Sequence, residues 1–238
     1  MSLARKMKKQ NLAKLKDAVD KETKGTIRKD AKGLSIARRM QAAIEDMCWA
    51  TITPLFLWVL HRDFGFGAER LFRMSEEYNR HIMLVNDAHR ADKLRSEGKT
   101  LPEVGGPFPH HYIDMDEMLE GLKTEAGYEY IFTPVRKKIP AEATQQQFTD
   151  WHVGKLADMR RDSLRLIWLY TMWSVFGFGK SRLAKLNTAL VEQIENLTPE
   201  ILSSYMKELE KLDKKGGRIS FVRTREILQD VLAKIKAA

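Results

Sequence analysis

The sequence is poor in the residues that cross-link and punctuate a chain. Its 238 residues include one cysteine, Cys48, and seven prolines. A lone thiol closes no internal disulfide, which excludes a disulfide-stapled scaffold and fits a reducing compartment. Flanked by Met47 and Trp49, Cys48 reads as buried core. Scarce proline and long segments rich in Leu, Met, Ala, Lys and Glu favour helix over strand. No run reaches about 18 apolar residues and no early stretch forms a signal-peptide core, so neither membrane spanning nor secretion is expected. The most apolar stretch, Ile52 to Leu60, is too short.

Catalytic constellations are also missing. No Ser, His and Asp set and no carboxylate pair falls at a persuasive spacing. Gly179-Lys180-Ser181 ends like a phosphate-binding loop, but Ser174 stands where that loop requires its first glycine. His110-His111, with His89 or His152, has no cysteine or carboxylate at a zinc spacing. The expectation is a non-enzymatic protein with no catalytic residue, metal or cofactor.

What is present is charge, placed unevenly. The net charge is +9. Residues 1–40 hold thirteen Lys or Arg against four acids, while residues 41–238 hold 28 of each sign. The excess therefore belongs to an N-terminal arm. Leu12, Leu15 and Val19 allow that arm a lightly amphipathic helix, with Lys8, Lys9 and Lys14 among its cations. Clustered cations release counterions on binding a polyanion. A merely solubilising tail has the same composition, and both readings stand.

The chain is organised around a repeat. Phe64-Gly65-Phe66-Gly67 recurs as Phe176-Gly177-Phe178-Gly179, 112 positions on. In that register Leu57 aligns with Leu169, Trp58 with Tyr170, Leu60 with Met172, Arg70 with Arg182, Leu71 with Leu183, Arg73 with Lys185 and Ile82 with Ile194. An apolar helix enters each turn and an amphipathic one leaves it. The first entering helix begins near Ser35, with a kink or restart expected at Thr53-Pro54. The leaving helix runs from Ala68 to about Ala91. Gly98, Pro102, Gly105, Gly106, Pro107 and Pro109 mark residues 92–112 as an irregular insertion.

Asp114 should cap a helix from Met115 to Glu125, stopped by Gly127. Tyr128 to Ile139 has strand-like composition, limited to an edge by Pro134. Thr149-Asp150 should cap the second entering helix. Thr198-Pro199-Glu200 should start a helix in the place Asp114 holds in the first copy, and Phe221 to Lys236 should close the chain. The expected fold is all-α: two pseudo-repeated three-helix units with a basic N-terminal arm. The divisions are 1–33 for the arm, 34–140 for the first unit and 141–238 for the second.

Alternating glycine and phenylalanine can be purely structural, glycine supplying a positive φ and the rings pinning the reversal. A second reading comes from resemblance. Val175-Phe176-Gly177-Phe178-Gly179-Lys180-Ser181-Arg182-Leu183 resembles the helix-hairpin-helix motif of DNA-binding proteins. The resemblance implies that Gly65, Gly67, Gly177 and Gly179 offer backbone N–H groups to phosphates, with Arg70, Lys180 and Arg182 adding charge. Phe176 replaces that motif's usual proline, and Ala68-Glu69 lacks its lysine. Separately, Leu60-His61-Arg62-Asp63-Phe64-Gly65-Phe66-Gly67-Ala68-Glu69-Arg70-Leu71 resembles a segment of uncharacterised tailed-phage and prophage proteins of Gram-positive bacteria. That resemblance implies a phage origin and no particular chemistry.

Two functions are therefore expected. In the first, a protein in the bacterial host's cytoplasm binds nucleic acid, DNA ahead of RNA, through the arm and the two turns. In the second, a phage inhibitor of a host defence system acts by binding a host protein or sequestering a nucleotide signal. No membrane partner is expected, and the oligomeric state is open.

Overall fold

The computed structural model describes residues 31–96, 113–137, 142, 144–213 and 219–236. Every regular element among them is a helix: α1 Ala31–Phe64, α2 Ala68–Ser96, α3 Met115–Thr124, α4 Gln145–Phe176, α5 Lys180–Glu195, α6 Pro199–Leu212 and α7 Val222–Lys236. The chain divides into two compact units, Met1–Ile44 and Glu45–Ala238. Of the first, the described residues 31–44 are helical. The basic arm through residue 30, with Lys8, Lys9 and Lys14, lies outside the described residues, as do His110 and His111. All contacts that follow belong to the second unit.

The helix α1 does not break at Pro54 but continues to Phe64. Ile52, Leu55, Phe56, Val59 and Leu60, on both sides of the proline, are all buried. Their combined burial outweighs the roughly 3 kcal/mol that an interior proline costs. By length and composition Gln41–Phe64 is apolar enough to cross a membrane, with a mean hydropathy of 1.3, although 56% of its best window is buried within the fold. The segment passes on average hydropathy, where no uninterrupted apolar run does.

In α2 the buried positions are Leu71, Met74, Tyr78, His81, Val85 and Ala88. Their alternating three- and four-residue spacing makes one seam, and α4 covers it. Tyr78 stacks on Trp168 at 3.7 Å between ring centroids, and Phe56 of α1 stacks on the same indole at 4.0 Å. His81 Nδ1 lies 2.9 Å from the Thr171 hydroxyl, which itself donates to the Ile167 carbonyl. The hydroxyl is thus left to accept, so Nδ1 carries the proton. Burial pushes the His81 imidazole down to about 4, with Arg80 adding to the shift and Glu77 opposing it.

The short helices α3 and α6 each contact a long helix distant in the chain. Asp114 caps α3 in a reciprocal box with Glu117, and Gly121 of α3 lies beneath Trp173 and Tyr170 of α4. A Cβ there would meet Trp173 at 3.0 Å, so any larger residue would push the indole away by a few tenths of an ångström. Thr198 caps α6, with Pro199 in its first turn. Tyr205 of α6 stacks at 4.6 Å on Trp58 of α1, the residue aligned with Tyr170. Beyond α6, Glu210 accepts from the Phe221 amide at 3.1 Å and grips Arg225 at 3.0 and 2.7 Å, docking α7.

Tyr128 to Lys137 forms no strand: it is an extended strap running along α4. The Tyr130 hydroxyl lies 3.0 Å from the Asp162 carbonyl, and Arg165 donates to both the Tyr130 hydroxyl and the Ile131 carbonyl at 2.9 Å. Asp162 accepts from the Thr133 amide at 2.9 Å. Trp151 Nε1 donates to the Lys137 carbonyl at 2.8 Å. Arg136 pairs with Asp158 and lies across Gly154, where a Cβ would meet its guanidinium at 2.5 Å. Helix side chains, rather than a neighbouring strand, satisfy this backbone. Accordingly α4 starts at Gln145, capped by Thr144 in a box with Gln147, not at Thr149-Asp150.

Candidate nucleic-acid interface

The two Phe-Gly-Phe-Gly turns close alike. Gly65 has φ 66° and Gly177 φ 65°, so each ends its helix in the left-handed region where a side chain is strained. The Gly65 amide donates to the His61 carbonyl at 3.1 Å and that of Gly177 to Trp173 at 3.0 Å. The following Phe66 and Phe178 amides reach Leu60 and Met172, each at 3.1 Å. The second glycines differ in kind. Gly179 has φ −77°, and neither Gly67 nor Gly179 has a neighbour within 4 Å of where a Cβ would stand. Nothing inside the fold requires glycine at 179 or at 67.

The turns also pack against one another. Phe64 meets Phe178 at 5.2 Å, Phe66 meets Phe176 at 5.4 Å, and Phe66 meets Phe178 edge-on at 6.2 Å. Phe66 and Phe178 are buried, while all four glycines are exposed. Each ring carries a cation. Arg70 lies over Phe66 at 4.0 Å and Arg182 over Phe178 at 5.6 Å, each within its own turn. Arg73 lies over Phe176 and Lys185 over Phe64, both at 5.4 Å, each reaching to the other turn. A cation over an aromatic face is attracted by the ring quadrupole, which orients the charge without neutralising it.

None of these four cations is ion-paired with a described residue, unlike Arg62, Arg136, Arg161, Arg165 and Arg225. Lys180 and Ser181 are exposed at the start of α5, and Gly179 supplies no side-chain cap there. The first amides of α5 thus face outward, with the positive end of the helix dipole behind them. Around the first turn, Asp63 bonds Arg62 at 2.6 and 2.8 Å. Those bonds, helped by the charge of Lys185, hold the Asp63 carboxyl below its ordinary range.

The expected residues Gly65, Gly67, Arg70, Gly177, Gly179, Lys180 and Arg182 are thereby brought to one place. Arg73 and Lys185 belong with them and were not singled out from the sequence. Their signal was the register that aligns them, a cation in both copies; their ring partners lie on the opposite turn, which local spacing does not reveal. Elsewhere, His152 packs its ring on Phe148 at 4.4 Å and Trp151 at 5.0 Å. Among the described residues no group of three His, Cys, Asp or Glu could hold a metal ion. Burial pushes the Cys48 thiol above its ordinary value, away from reactive-thiolate character.

Comparison with known protein families, curated proteins and solved structures returns no match.

Proposed function

We propose that the chain is a non-enzymatic nucleic-acid-binding protein of phage or mobile-element origin, acting in the bacterial host's cytoplasm. It contacts phosphates through its basic arm and its paired turns. The observation that carries this reading is the set of ring-held cations, Arg70, Arg73, Arg182 and Lys185, none in a salt bridge with a described residue, beside an uncapped α5 start. Oriented charge and outward backbone amides suit phosphate oxygens. Exposed glycine at 67 and 179 leaves room for a backbone-to-backbone approach. We read the fold as two copies of a three-helix unit, each turn bracing the other and each third helix docking on the other copy's first. The reciprocal ring contacts and the pairing of Trp58 with Tyr205, and of Tyr170 with Gly121, support that reading.

The test is fluorescence anisotropy on random single- and double-stranded DNA and RNA across a salt series. Binding should fall steeply with salt, and Lys180→Ala with Arg182→Ala should lower the slope of log affinity against log salt by about 2. Absence of binding at low salt would overturn the reading. One observation favours the second function, docking to a host protein. Ile131 and Val135 on the strap are 71% and 76% exposed, and salt-tolerant capture of one host protein, with no nucleic-acid binding, would establish it.

A further inference from the structure

The strap along α4 has one backbone edge taken and the other open. In an extended chain successive residues send their N–H and C=O groups to opposite edges. The odd-numbered groups go to α4: the Ile131 carbonyl accepts from Arg165, the Thr133 amide donates to Asp162 and the Lys137 carbonyl accepts from Trp151. The even-numbered amides of Tyr130, Phe132 and Arg136 bond no described residue. Pro134, the even residue between them, has no N–H to leave unpaired. Glu129, Ile131, Val135 and Lys137 are all exposed. The Arg136 side chain is taken up by Asp158, whereas Glu129 and Lys137 form no salt bridge with a described residue. An open edge flanked by exposed apolar side chains is a template for another strand.

We propose that this edge pairs with the same edge of a second copy of the chain, antiparallel and centred on Thr133, to give a twofold dimer. In that register Glu129 lies opposite the second copy's Lys137, and Ile131 opposite its Val135, each pair formed twice by the symmetry. Opposite charges and β-branched side chains facing one another across an antiparallel ladder both stabilise it. Tyr130 and the second copy's Arg136 exchange both their backbone bonds, and the Phe132 amide donates to the carbonyl of the second copy's Pro134. The one bond forgone is the donation that proline cannot make to the Phe132 carbonyl. Sliding the pairing by two residues sets Glu129 opposite Val135 in one direction, or Lys137 opposite Ile131 in the other, and strands a charge. A foreign strand would have to supply this order of charge and apolar residue; a second copy carries it. The pairing does not depend on the nucleic-acid reading. A ribbon this short is small beside the roughly 1,200–2,000 Å² of a stable complex, so the dimer should dissociate on dilution.

Sedimentation velocity on the full chain tests this, at concentrations from about 1 µM to about 1 mM, the span of weak association. The sedimentation coefficient should rise with concentration as monomer converts to dimer. Lys137→Glu places two carboxylates opposite each other at both ends of the ribbon and should weaken association by about fivefold or more. Glu129→Lys should do the same with two cations. An equal mixture of the two variants regains both opposite-charge pairs and should dimerise as the parent chain does, as should the chain carrying both substitutions. The melting temperature of each dilute variant should stay unchanged, because neither side chain is paired within the fold. A monomer at every concentration, a dimer indifferent to either charge reversal, or a loss that the mixture does not reverse would each overturn the dimer and leave nucleic-acid binding intact. A chain that stays monomeric while its strap takes up an extended segment of another protein would overturn it in favour of the host-protein reading.

Discussion

The two turns share a backbone and differ in charge, and the difference separates what each contributes. Gly65 and Gly177 adopt the same φ within a degree, and the rings of each turn are covered by a cation of its own and a cation of the other. Packing therefore treats the turns as equals. The first nevertheless has Asp63, Glu69 and Glu76 among its cations, while the second has none of these acids. Stability should thus respond alike to changes at either turn, and anion affinity should respond mainly at the second.

The largest effect tests the equality. Phe66→Ala and Phe178→Ala should each cost about 3–5 kcal/mol by urea unfolding, and a gap between them of more than about 2 kcal/mol would show that the turns do not brace each other equally. Next comes a deliberate inequality. His81 aligns with Gln193 in the 112-residue register, so its buried imidazole has no counterpart at the aligned position. Because its folded value lies near 4, below the ordinary 6.5, its neutral form is the one the fold accepts. Stability is full above pH 6.5, falls as the pH drops from 6.5 towards 4 while the unfolded chain takes up the proton, and stops falling below 4. The loss should be about 1–3 kcal/mol. His81→Gln should flatten this part of the pH profile of the melting temperature.

Smaller still, Gly65→Ala and Gly177→Ala should each destabilise by about 1–2 kcal/mol, because alanine is strained at positive φ. Their thermal shifts should match. The smallest effect is the most discriminating. Gly179→Ser gives α5 the side-chain cap it lacks and should raise stability by about 0.5 kcal/mol. The same hydroxyl occupies an amide that a phosphate would use, so nucleic-acid affinity should fall. A variant both more stable and equally tight would show that the start of α5 binds no phosphate.

Features governed by neighbouring residues were legible in the sequence. Asp114, Thr198 and Pro199 start helices where they should, because a cap and its amide lie within one turn of each other. The positive-φ glycine of each turn was likewise readable, since only the local backbone decides it. Distant partners hid the rest. Thr53-Pro54 allows a restart until the apolar side chains on both sides of it are seen buried along one continuous helix. The strap reads as a strand because its aromatic and β-branched residues suit one, yet Asp158, Asp162 and Arg165 of α4 provide its partners. Thr149-Asp150 reads as the cap of the second entering helix, whereas Thr144 and Gln147 cap one another and start it at Gln145. At the candidate site the glycines and three cations were readable, but the meeting of Phe64 with Phe178 and of Phe66 with Phe176 links positions more than a hundred residues apart.

Crossed docking of the short helices also decides how this body comes apart. With α3 seated on α4 at Gly121, and Tyr205 of α6 stacked on Trp58 of α1, neither residues 45–137 nor residues 144–238 keep a complete set of neighbours once the others leave. Loss of one exposes the apolar flank of both, so residues 45–238 should melt in a single calorimetric peak rather than as two modules in succession. The covalent link between Lys137 and Thr144 matters correspondingly little: a protease that cuts there leaves two fragments still clasped together, visible on a denaturing gel and silent on a sizing column.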